Sequence, residues 1–392
     1  MSILDFKKLT ETEKDYIISF RRELHEYPEI AGEEVRTSQR ISEELEKLDI
    51  PYIIDKKRNV IAKLNTGKPG KKLALRADFD ALPMQEETNL PYASKIDGRA
   101  HLCGHDAHAA ALLGAAKILA AMKNELAGTI YFCFQMGEET CEGAPEIIEY
   151  LEKEGGVDMV AAIHLMPGFP PGCFLCPVGP MMAGTLQWEL KVHGKGGHGS
   201  TPWIAVDPIK PMCDIILRIT SLAANRINPA DQFVVSPCVI NSGTANNVIP
   251  ELARSEGTIR FYKPELAKQL PELVEDIAKQ VAASYGAKAE FNILHSCMPV
   301  VNDAAAVELA KKASAKLGFA VYPMPPVTGS DNYGEFLNKY KGFYIFNGVT
   351  PQGKEVILNH NPKYEIDENA MLINTVFFTS FAYDYLNGLL DD

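Results

Sequence analysis

The chain has 392 residues, 46% of them hydrophobic and 23% charged, which is typical of a soluble protein and too long for a single ordinary core. The formal net charge of −12 and the lack of a basic tract argue against nucleic acid as a partner, because acidic surfaces repel phosphate. No apolar run is long enough for a membrane span. Eight scattered cysteines and the absence of a signal-peptide pattern lead us to expect a cytoplasmic protein.

Strand and helix patterns alternate through the first half of the chain. Apolar residues recur with helical spacing from Tyr16 to Leu24, before Pro28, and again from Val35 to Leu48. The next predicted elements are strands at 59–64 and 72–77, a helix at 107–122, a strand at 129–135, a helix at 145–153 and a strand at 159–164. This alternation is typical of an α/β domain with a largely parallel sheet.

The pattern changes near Gly184. The segments that follow are a strand at 186–192, a glycine-rich loop at 194–199, a long helix through Ile215 and Leu222, strands at 233–240 and 253–262, a helix at 265–284 and a strand at 289–295. This order is the ferredoxin-like α+β pattern, so we interpret residues 184–297 as an inserted domain. Alternation resumes with a helix at 304–317, a strand at 342–346 and a helix at 368–386. Residues 1–183 and 298–392 are therefore expected to form one discontinuous α/β domain.

Potential metal ligands first occur just before the alanine-rich helix at 107–122. Cys103 and His105 flank Gly104, and a thiolate and an imidazole at this spacing can both reach a metal ion from a loop. A buried cysteine beside a helix-capping histidine would explain the pair equally well.

Further candidates follow the apolar strands. Glu138 and Glu139 come after strand 129–135, where one carboxylate can bind metal while the other moves a proton, although an acidic loop is a common alternative. His164 ends another strand and His360 lies much later, and neither is informative alone. Cys103, His105, one of the two glutamates, His164 and His360 would make five ligands. They lie at the carboxyl ends of strands, the edge where open α/β sheets hold their sites. Five ligands suffice for two cations roughly 3.5–4 Å apart.

Several longer stretches match a known family. They are residues 20–29 (FRRELHEYPE), 75–83 (LRADFDALP), 103–108 (CGHDAH), 196–199 (GGHG), 206–209 (VDPI) and 247–250 (NVIP). In these stretches, and along nearly its whole length, the chain resembles the M20 metallopeptidases, in the amidohydrolase branch that includes hippurate hydrolase, auxin-conjugate (IAA-amino acid) hydrolases and N-acetyldiaminopimelate deacetylase. The resemblance implies a zinc-peptidase-like α/β catalytic domain with an inserted ferredoxin-like lid and dimerisation domain, and a homodimer formed through that insert.

The resemblance also implies roles for the catalytic residues. Glu138 would be the general acid/base acting on a water activated by two metals, and Asp80 would orient a ligand or its loop. The implied metal ligands are Cys103, His105, Glu139, His164 and His360. The expected cofactors are two divalent ions, manganese or zinc, with cobalt and nickel open.

Three lid residues are assigned by the same resemblance. His198 would stabilise the oxyanion, in several relatives from a partner subunit, while Asn247 and Arg260 would hold the substrate carboxylate. Each has a simpler alternative: His198 as a loop residue among glycines, Asn247 as a turn former and Arg260 as half of an ion pair. The expected substrate is a small N-acyl amino acid or a dipeptide-like amide, with neither nucleic acid nor membrane as a partner.

Some positions depart from the family pattern. Met136 and Gly137 stand where the family usually has Pro-Ala, Trp203 replaces a histidine, and the loop 329–336 is altered, which leaves the substrate's acyl group and amino acid open. Two other functions remain as alternatives. One is a thiol amidase with Cys103 as nucleophile and His105 as base, which gives the remaining ligands no role. The other is a non-catalytic small-molecule-binding protein on the same scaffold.

Overall fold

A computed structural model of the chain describes residues 3–221, 226–350 and 353–391. Its helices are α1 (Ile3–Thr12), α2 (Lys14–Glu26), α3 (Val35–Lys47), α4 (His105–Ala121), α5 (Ala144–Lys153), α6 (Ile209–Thr220), α7 (Leu266–Ser284), α8 (Ala304–Lys316), α9 (Gly334–Lys339) and α10 (Glu368–Leu386). Its strands are β1 (Tyr52–Ile54), β2 (Val60–Asn65), β3 (Lys72–Asp78), β4 (Thr129–Gln135), β5 (Met159–Met166), β6 (Phe174–Leu175), β7 (Gly179–Met182), β8 (Gly184–His193), β9 (Gly197–His198), β10 (Phe233–Ser242), β11 (Val248–Ile249), β12 (Leu252–Phe261), β13 (Lys288–Cys297), β14 (Val300–Asn302), β15 (Val321–Tyr322) and β16 (Gly342–Gly348).

The chain forms two compact units. The first comprises Met1–Met181, Asn302–Pro325 and Glu335–Asp392, and the second comprises Met182–Val301 and Pro326–Gly334. Within the described ranges, no helix has both the length and the apolar composition that a membrane span needs. The functions of the second unit as a lid and as a dimerisation domain stay predictions.

The first unit is built on an eight-stranded sheet in the order β1-β2-β4-β3-β5-β16-β6-β15. Strands β4, β3, β5 and β16 run parallel to one another, whereas β2 is antiparallel to β4 and β6 is antiparallel to β16. Every residue of β4 and of β16 is buried, as expected for parallel strands covered on both faces. The predicted α/β domain with parallel central strands is thus confirmed.

Helix α4 packs into the core of the first unit, where 14 of its residues are buried. Its alanine-rich sequence explains this position, because small side chains allow neighbouring elements to approach closely. At Gly114, for example, an added Cβ would lie 2.7 Å from the Ile17 side chain. The first residue of α4 is His105, so the fold anchors one candidate ligand at the start of a rigid, buried helix.

The second unit has a four-stranded antiparallel sheet in the order β10-β12-β8-β13. Helices α6 and α7 pack on this sheet, over a core that includes Trp188, Phe261 and Leu270. This is the ferredoxin-like α+β arrangement expected from the sequence. Helix α6 ends at Thr220, and Leu222, which we predicted on the same helix, lies outside the described residues.

Candidate metal centre

The candidate ligands of the first unit lie near the carboxyl ends of its parallel strands. His164 is on β5, and Glu138 and Glu139 occupy a short helical turn directly after β4. That turn begins at Gly137, whose φ of +62° lies in the left-handed region that glycine adopts at little cost. His360 has a φ of +63°, which is uncommon for a residue with a side chain and is found at sites where the surrounding structure enforces it.

The structure brings all five predicted ligands and Glu138 together. Three sets of donor atoms each lie within 4.8 Å of one another, and the sets are Cys103 with His105 and His164, Cys103 with Glu139 and His360, and His105 with Glu138 and Glu139. Cys103 Sγ lies 3.5 Å from His164 Nε2, and Glu139 Oε1 lies 3.2 Å from His360 Nε2. Because the sets share members, they form one continuous cluster with enough donors for two adjacent cations.

Asp80 connects two candidate ligands. One of its oxygens, Oδ1, lies 3.0 Å from His105 Nδ1, and the other accepts a hydrogen bond from the Glu139 backbone N–H at 2.9 Å. An acceptor at Nδ1 keeps the proton there and leaves the lone pair of His105 on Nε2. Asp80 thus sets both the tautomer of a histidine and the position of the Glu139 backbone, in line with the orienting role implied by the resemblance.

The donor chemistry of the cluster fits divalent metal ions. His105 Nε2 is buried and has no hydrogen-bond partner, which is costly unless something else satisfies its lone pair. His164 faces the cluster with Nε2, since its Nδ1 donates to the Leu165 carbonyl oxygen at 2.7 Å. Sulfur, imidazole and carboxylate donors in one cluster suit zinc, cobalt or nickel, and manganese through the carboxylates.

The charges in the cluster perturb the pKa values of its members. Burial alone would raise the pKa of the Cys103 thiol, but the imidazoles of His105 and His164 outweigh it and hold this pKa well below its usual value. Burial, together with the negative charge of Cys103, raises the pKa of Glu139 to about 7. Hydrogen bonds to Cys103 and Glu139 raise the pKa of His360 to about 10. Protons therefore compensate the negative donors here, and a metal ion must displace them.

Two residues near the cluster received no role from the sequence. His108 lies 2.6 Å from Asp78 through its Nδ1, and its Nε2 accepts the Leu165 backbone N–H at 3.0 Å. Asp78 also pairs with Arg76 at 2.6 Å. Although Asp78, His105 and His108 have donor atoms close enough for a metal, the guanidinium beside Asp78 already neutralises its carboxylate. These residues were within stretches 75–83 and 103–108, but only the fold shows what they contact.

The remaining predicted site residues belong to the second unit. His198 lies on β9, exposed, and its Nδ1 accepts hydrogen bonds from the Ser200 backbone N–H at 3.1 Å and hydroxyl at 2.8 Å. Asn247 adjoins this segment, because its carbonyl oxygen accepts the Gly199 N–H at 2.8 Å. Arg260 on β12 donates to the hydroxyls of Thr185 and Thr258, and among the described residues no carboxylate forms an ion pair with it. The catalytic and substrate-binding roles of these residues stay predictions.

Trp203 follows the glycine-rich loop of the second unit, and its side chain is 77% exposed. The structure leaves the indole accessible to a ligand or another protein surface. Its neighbour Ile204 is also exposed, at 61%.

Comparisons with known proteins agree with the fold and the cluster. Residues 74–384 match the model of peptidase family M20/M25/M40. The chain is 36% identical to an N-acetylcysteine deacetylase of Bacillus subtilis over 93% of its length and 96% of the relative's. It is also 36% identical to thermostable carboxypeptidase 1 of Saccharolobus solfataricus, over 95% of this chain and 96% of the relative.

A solved structure shows the same architecture. The Bacillus subtilis YXEP protein, described as a dinuclear metal binding peptidase from the M20 family, is 34% identical and superposes with a TM-score of 0.82, covering 96% of this chain and 99% of its own. The cluster found here supplies donors for two divalent ions in the same fold. The chain belongs to peptidase family M20/M25/M40 and is a metal-dependent hydrolase of amide bonds.

Proposed function

We propose that the enzyme releases an amino acid from a small N-acyl amino acid by hydrolysing its amide bond, with Glu138 as general acid/base. The observation that carries this proposal is the buried cluster in which Glu138 lies next to His105 and Glu139. Those two residues are candidate metal ligands, so Glu138 would lie beside the metal ions. The names of two relatives support the substrate class. Deacetylation of N-acetylcysteine and carboxypeptidase cleavage both break an amide whose nitrogen belongs to an amino acid with a free carboxylate.

The ligands assigned under this proposal are Cys103, His105, Glu139, His164 and His360. When bound, the two ions would polarise the substrate carbonyl and lower the pKa of the attacking water. Glu138, which is 9% exposed, is buried enough to be shielded from bulk solvent while remaining in reach of the cluster. Its carboxylate would accept the proton of the attacking water and then return it to the leaving amine nitrogen.

The substrate's polar ends are assigned to the second unit. Arg260 would bind the substrate carboxylate with its guanidinium, whose fork suits two parallel hydrogen bonds, and Asn247 would add an amide donor. Arg260 is compatible with this role because it donates to the neutral hydroxyls of Thr185 and Thr258. These hydroxyls do not neutralise the positive charge of the guanidinium. His198 would stabilise the developing oxyanion with an imidazole N–H.

Hydrolysis assays on metal-depleted protein test the reaction and the metal together. We would assay a panel of N-acetyl, N-benzoyl and longer N-acyl amino acids before and after adding Mn²⁺, Zn²⁺, Co²⁺ or Ni²⁺. We expect activity to disappear on chelation and to return with metal, with Mn²⁺ or Zn²⁺ as the best activator. Activity that survives chelation but is abolished by thiol alkylation would instead support Cys103 as a nucleophile. Metal binding without cleavage of any substrate would favour a binding protein.

We further propose a homodimer formed through the second unit. Strand β10 lies at the edge of its sheet, where backbone groups are available to another strand. Its side chains Val234 and Ile240 are 53% and 54% exposed. Light scattering after size-exclusion chromatography should give twice the chain mass of 43.1 kDa, and Ile240→Lys should shift it toward the monomer. A wild-type monomer at micromolar concentration would contradict the proposal.

A cytoplasmic location is proposed from the thiols. The eight cysteines are scattered along the chain, and free thiols such as those of Cys133 and Cys176 suit a reducing compartment. Fractionation of cells that express the full chain would test this location, and recovery outside the cytoplasm would contradict it.

A further inference from the structure

The turn that carries Glu138 and Glu139 is bridged near its two ends by two side-chain amides. One is Gln135, whose Nε2 donates to the Glu142 carbonyl oxygen at 3.0 Å, and the other is Asn59. Asn59 Oδ1 accepts the Met136 backbone N–H at 3.0 Å, and Asn59 Nδ2 donates to the Gly143 carbonyl oxygen at 3.0 Å. Asn59 is fully buried, with 0% of its surface exposed. The Asn59 amide therefore ties the residue after β4 to the residue before α5. Both glutamates lie in the segment between these two residues.

The orientation of the Asn59 amide is determined by its other neighbour. Asp55 Oδ2 accepts from Asn59 Nδ2 at 2.7 Å, and Asp55 Oδ1 accepts from the Asn59 backbone N–H at 3.1 Å. Two acceptors, Asp55 Oδ2 and the Gly143 carbonyl, thus face Nδ2, and one N–H donor faces Oδ1. The reverse orientation would set donor against donor and acceptor against acceptor, so the amide has one stable position.

There is little free space between Asn59 and the turn. An added Cβ at Gly143 would lie 2.3 Å from the Met136 carbonyl oxygen and 2.8 Å from Asn59 Oδ1. Gly143 also has a φ of +82°, which disfavours any side chain there. The two ends of the turn and the Asn59 amide therefore pack in direct contact, and a shift of one would move the others.

The sequence of the turn explains why it needs such a tie. Proline, which the family usually has at position 136, has a restricted φ and no N–H. Met136 and Gly137 have more backbone freedom, and Met136 has the N–H that Asn59 accepts. Asp80 and Glu34 bind the interior of the same turn through the N–H groups of Glu139 and Gly137, each at 2.9 Å. Those two contacts do not join its ends, whereas the Asn59 contacts do, alongside the hydrogen bond from the Gln135 side chain to the Glu142 carbonyl oxygen.

We propose that Asn59 is a positioning residue that holds Glu138 and Glu139 at the distances from Cys103, His105 and His360 that metal binding and proton transfer require. The inference rests on the proposed function for the role of Glu138, but its effect on the ligand Glu139 can be measured without a substrate. The hydrogen bonds of Asn59 go to Asp55 and to the backbone of the turn, so its influence on Glu138 and Glu139 passes through that backbone.

Asn59→Ser tests this role, because it removes both contacts to the turn without adding charge. The matched control is Asn302→Ser, since Asn302 is also a buried amide that bridges backbone groups, accepting from the Tyr344 N–H at 2.7 Å and donating to the Pro177 carbonyl at 3.0 Å. Both variants should lower the melting temperature. Titration of metal-depleted protein with Co²⁺, followed by its visible absorption, should show about 10- to 100-fold weaker binding for Asn59→Ser only.

Kinetics separate positioning from general destabilisation. We expect kcat to fall in Asn59→Ser while KM changes little, because the substrate carboxylate is assigned to residues outside the turn. A folded Asn59→Ser protein with wild-type Co²⁺ affinity and kcat, or with losses no larger than those of Asn302→Ser, would overturn the inference. If Asn59→Ser does not fold, the same measurements on Asp55→Ala decide it, because Asp55 is only partly buried and its loss removes the acceptor that orients the Asn59 amide. Wild-type protein that binds Co²⁺ without cleaving any substrate would count against the proposed function alone.

Discussion

Asp80 and Glu139 are joined by a hydrogen bond from the Glu139 backbone N–H to Asp80 Oδ2, 2.9 Å long, while the other oxygen of Asp80 lies 3.0 Å from His105 Nδ1. One carboxylate thus aligns a histidine and a glutamate that are both candidate ligands. Such contacts behind a metal site are worth about 10- to 100-fold in metal affinity when removed.

We expect Asp80→Asn to weaken metal binding by about 10- to 100-fold, because one of the two contacts would then face an amide N–H in place of an oxygen. Isothermal titration of metal-depleted protein would measure the change. Asp303→Asn is the control, since Asp303 caps α8 through the Ala306 N–H and has no contact with the cluster. Equal affinities for Asp80→Asn and the control would show that Asp80 does not orient the ligands.

Glu138→Gln should retain both metal ions and lose about 10²- to 10⁴-fold in kcat, the usual range for loss of a general acid/base. The amide has nearly the shape of the carboxylate but cannot accept the proton of water at neutral pH. Metal content by elemental analysis and kcat on the best substrate are the two measurements. Loss of metal together with activity would mean that Glu138 is a ligand.

Cys103→Ala should weaken metal binding, since it removes the donor shared by two of the three candidate ligand sets. Cys133→Ala is the matched control, because Cys133 is equally buried in β4 and burial raises the pKa of its thiol, so it stays protonated. Metal content after dialysis against a weak chelator would compare the two. Unchanged content in Cys103→Ala would remove Cys103 from the ligand set.

Glu34 gives the metal-free protein a pH-dependent stability. Burial, with Asp80 adding negative charge, raises the pKa of Glu34 to about 7. The folded state therefore keeps this proton up to a higher pH than the unfolded chain, whose carboxyl titrates near 4.3. The stability it contributes is complete below that value and is lost as the pH rises toward 7, by about 4 kcal/mol in all.

Glu34→Gln should flatten this decline, because the amide does not titrate. Denaturant unfolding of the metal-free protein between pH 4.5 and 8 would measure it. Glu33→Gln serves as the control, since the adjacent Glu33 is a half-exposed partner of Arg99. If Glu34→Gln and wild type show the same pH dependence, Glu34 is ionised throughout the range.

Arg21 and Arg22 allow a comparison of a buried and an exposed ion pair. Arg21 pairs with Asp106 at 2.7 Å, and both side chains are at most 3% exposed, whereas Arg22 is 46% exposed and pairs with Glu368. Arg21→Met should lower the free energy of unfolding by about 3–5 kcal/mol, because the buried Asp106 carboxylate would lose its arginine partner. Arg22→Met should cost about 0–1 kcal/mol. Denaturant unfolding would measure both, and equal losses would contradict this reasoning.

The sequence alone predicted the order of the longer elements, both domain types and the candidate ligands, but not short elements such as β6 and β15. Alternating apolar patterns predict elements such as β4 and α4 because burial on a period of 2 or 3.6 residues is a local property of the chain. The candidate ligands Cys103 and His105 were recognisable because they stand in a short motif with family resemblance. The sequence also shows methionine at position 136, where the family usually has proline. It does not show that Asn59 accepts the Met136 N–H.

Only the tertiary structure decided which groups meet across long separations in the chain. His360 lies 3.2 Å from Glu139, although 221 residues separate them, and no local pattern encodes that contact. The same applies to Asn59 and the turn at 136–143, and to His108 and Leu165. Sequence patterns report how each segment buries its own apolar face, whereas hydrogen bonds between distant segments depend on how the strands are ordered in the sheet, which is a property of the whole fold.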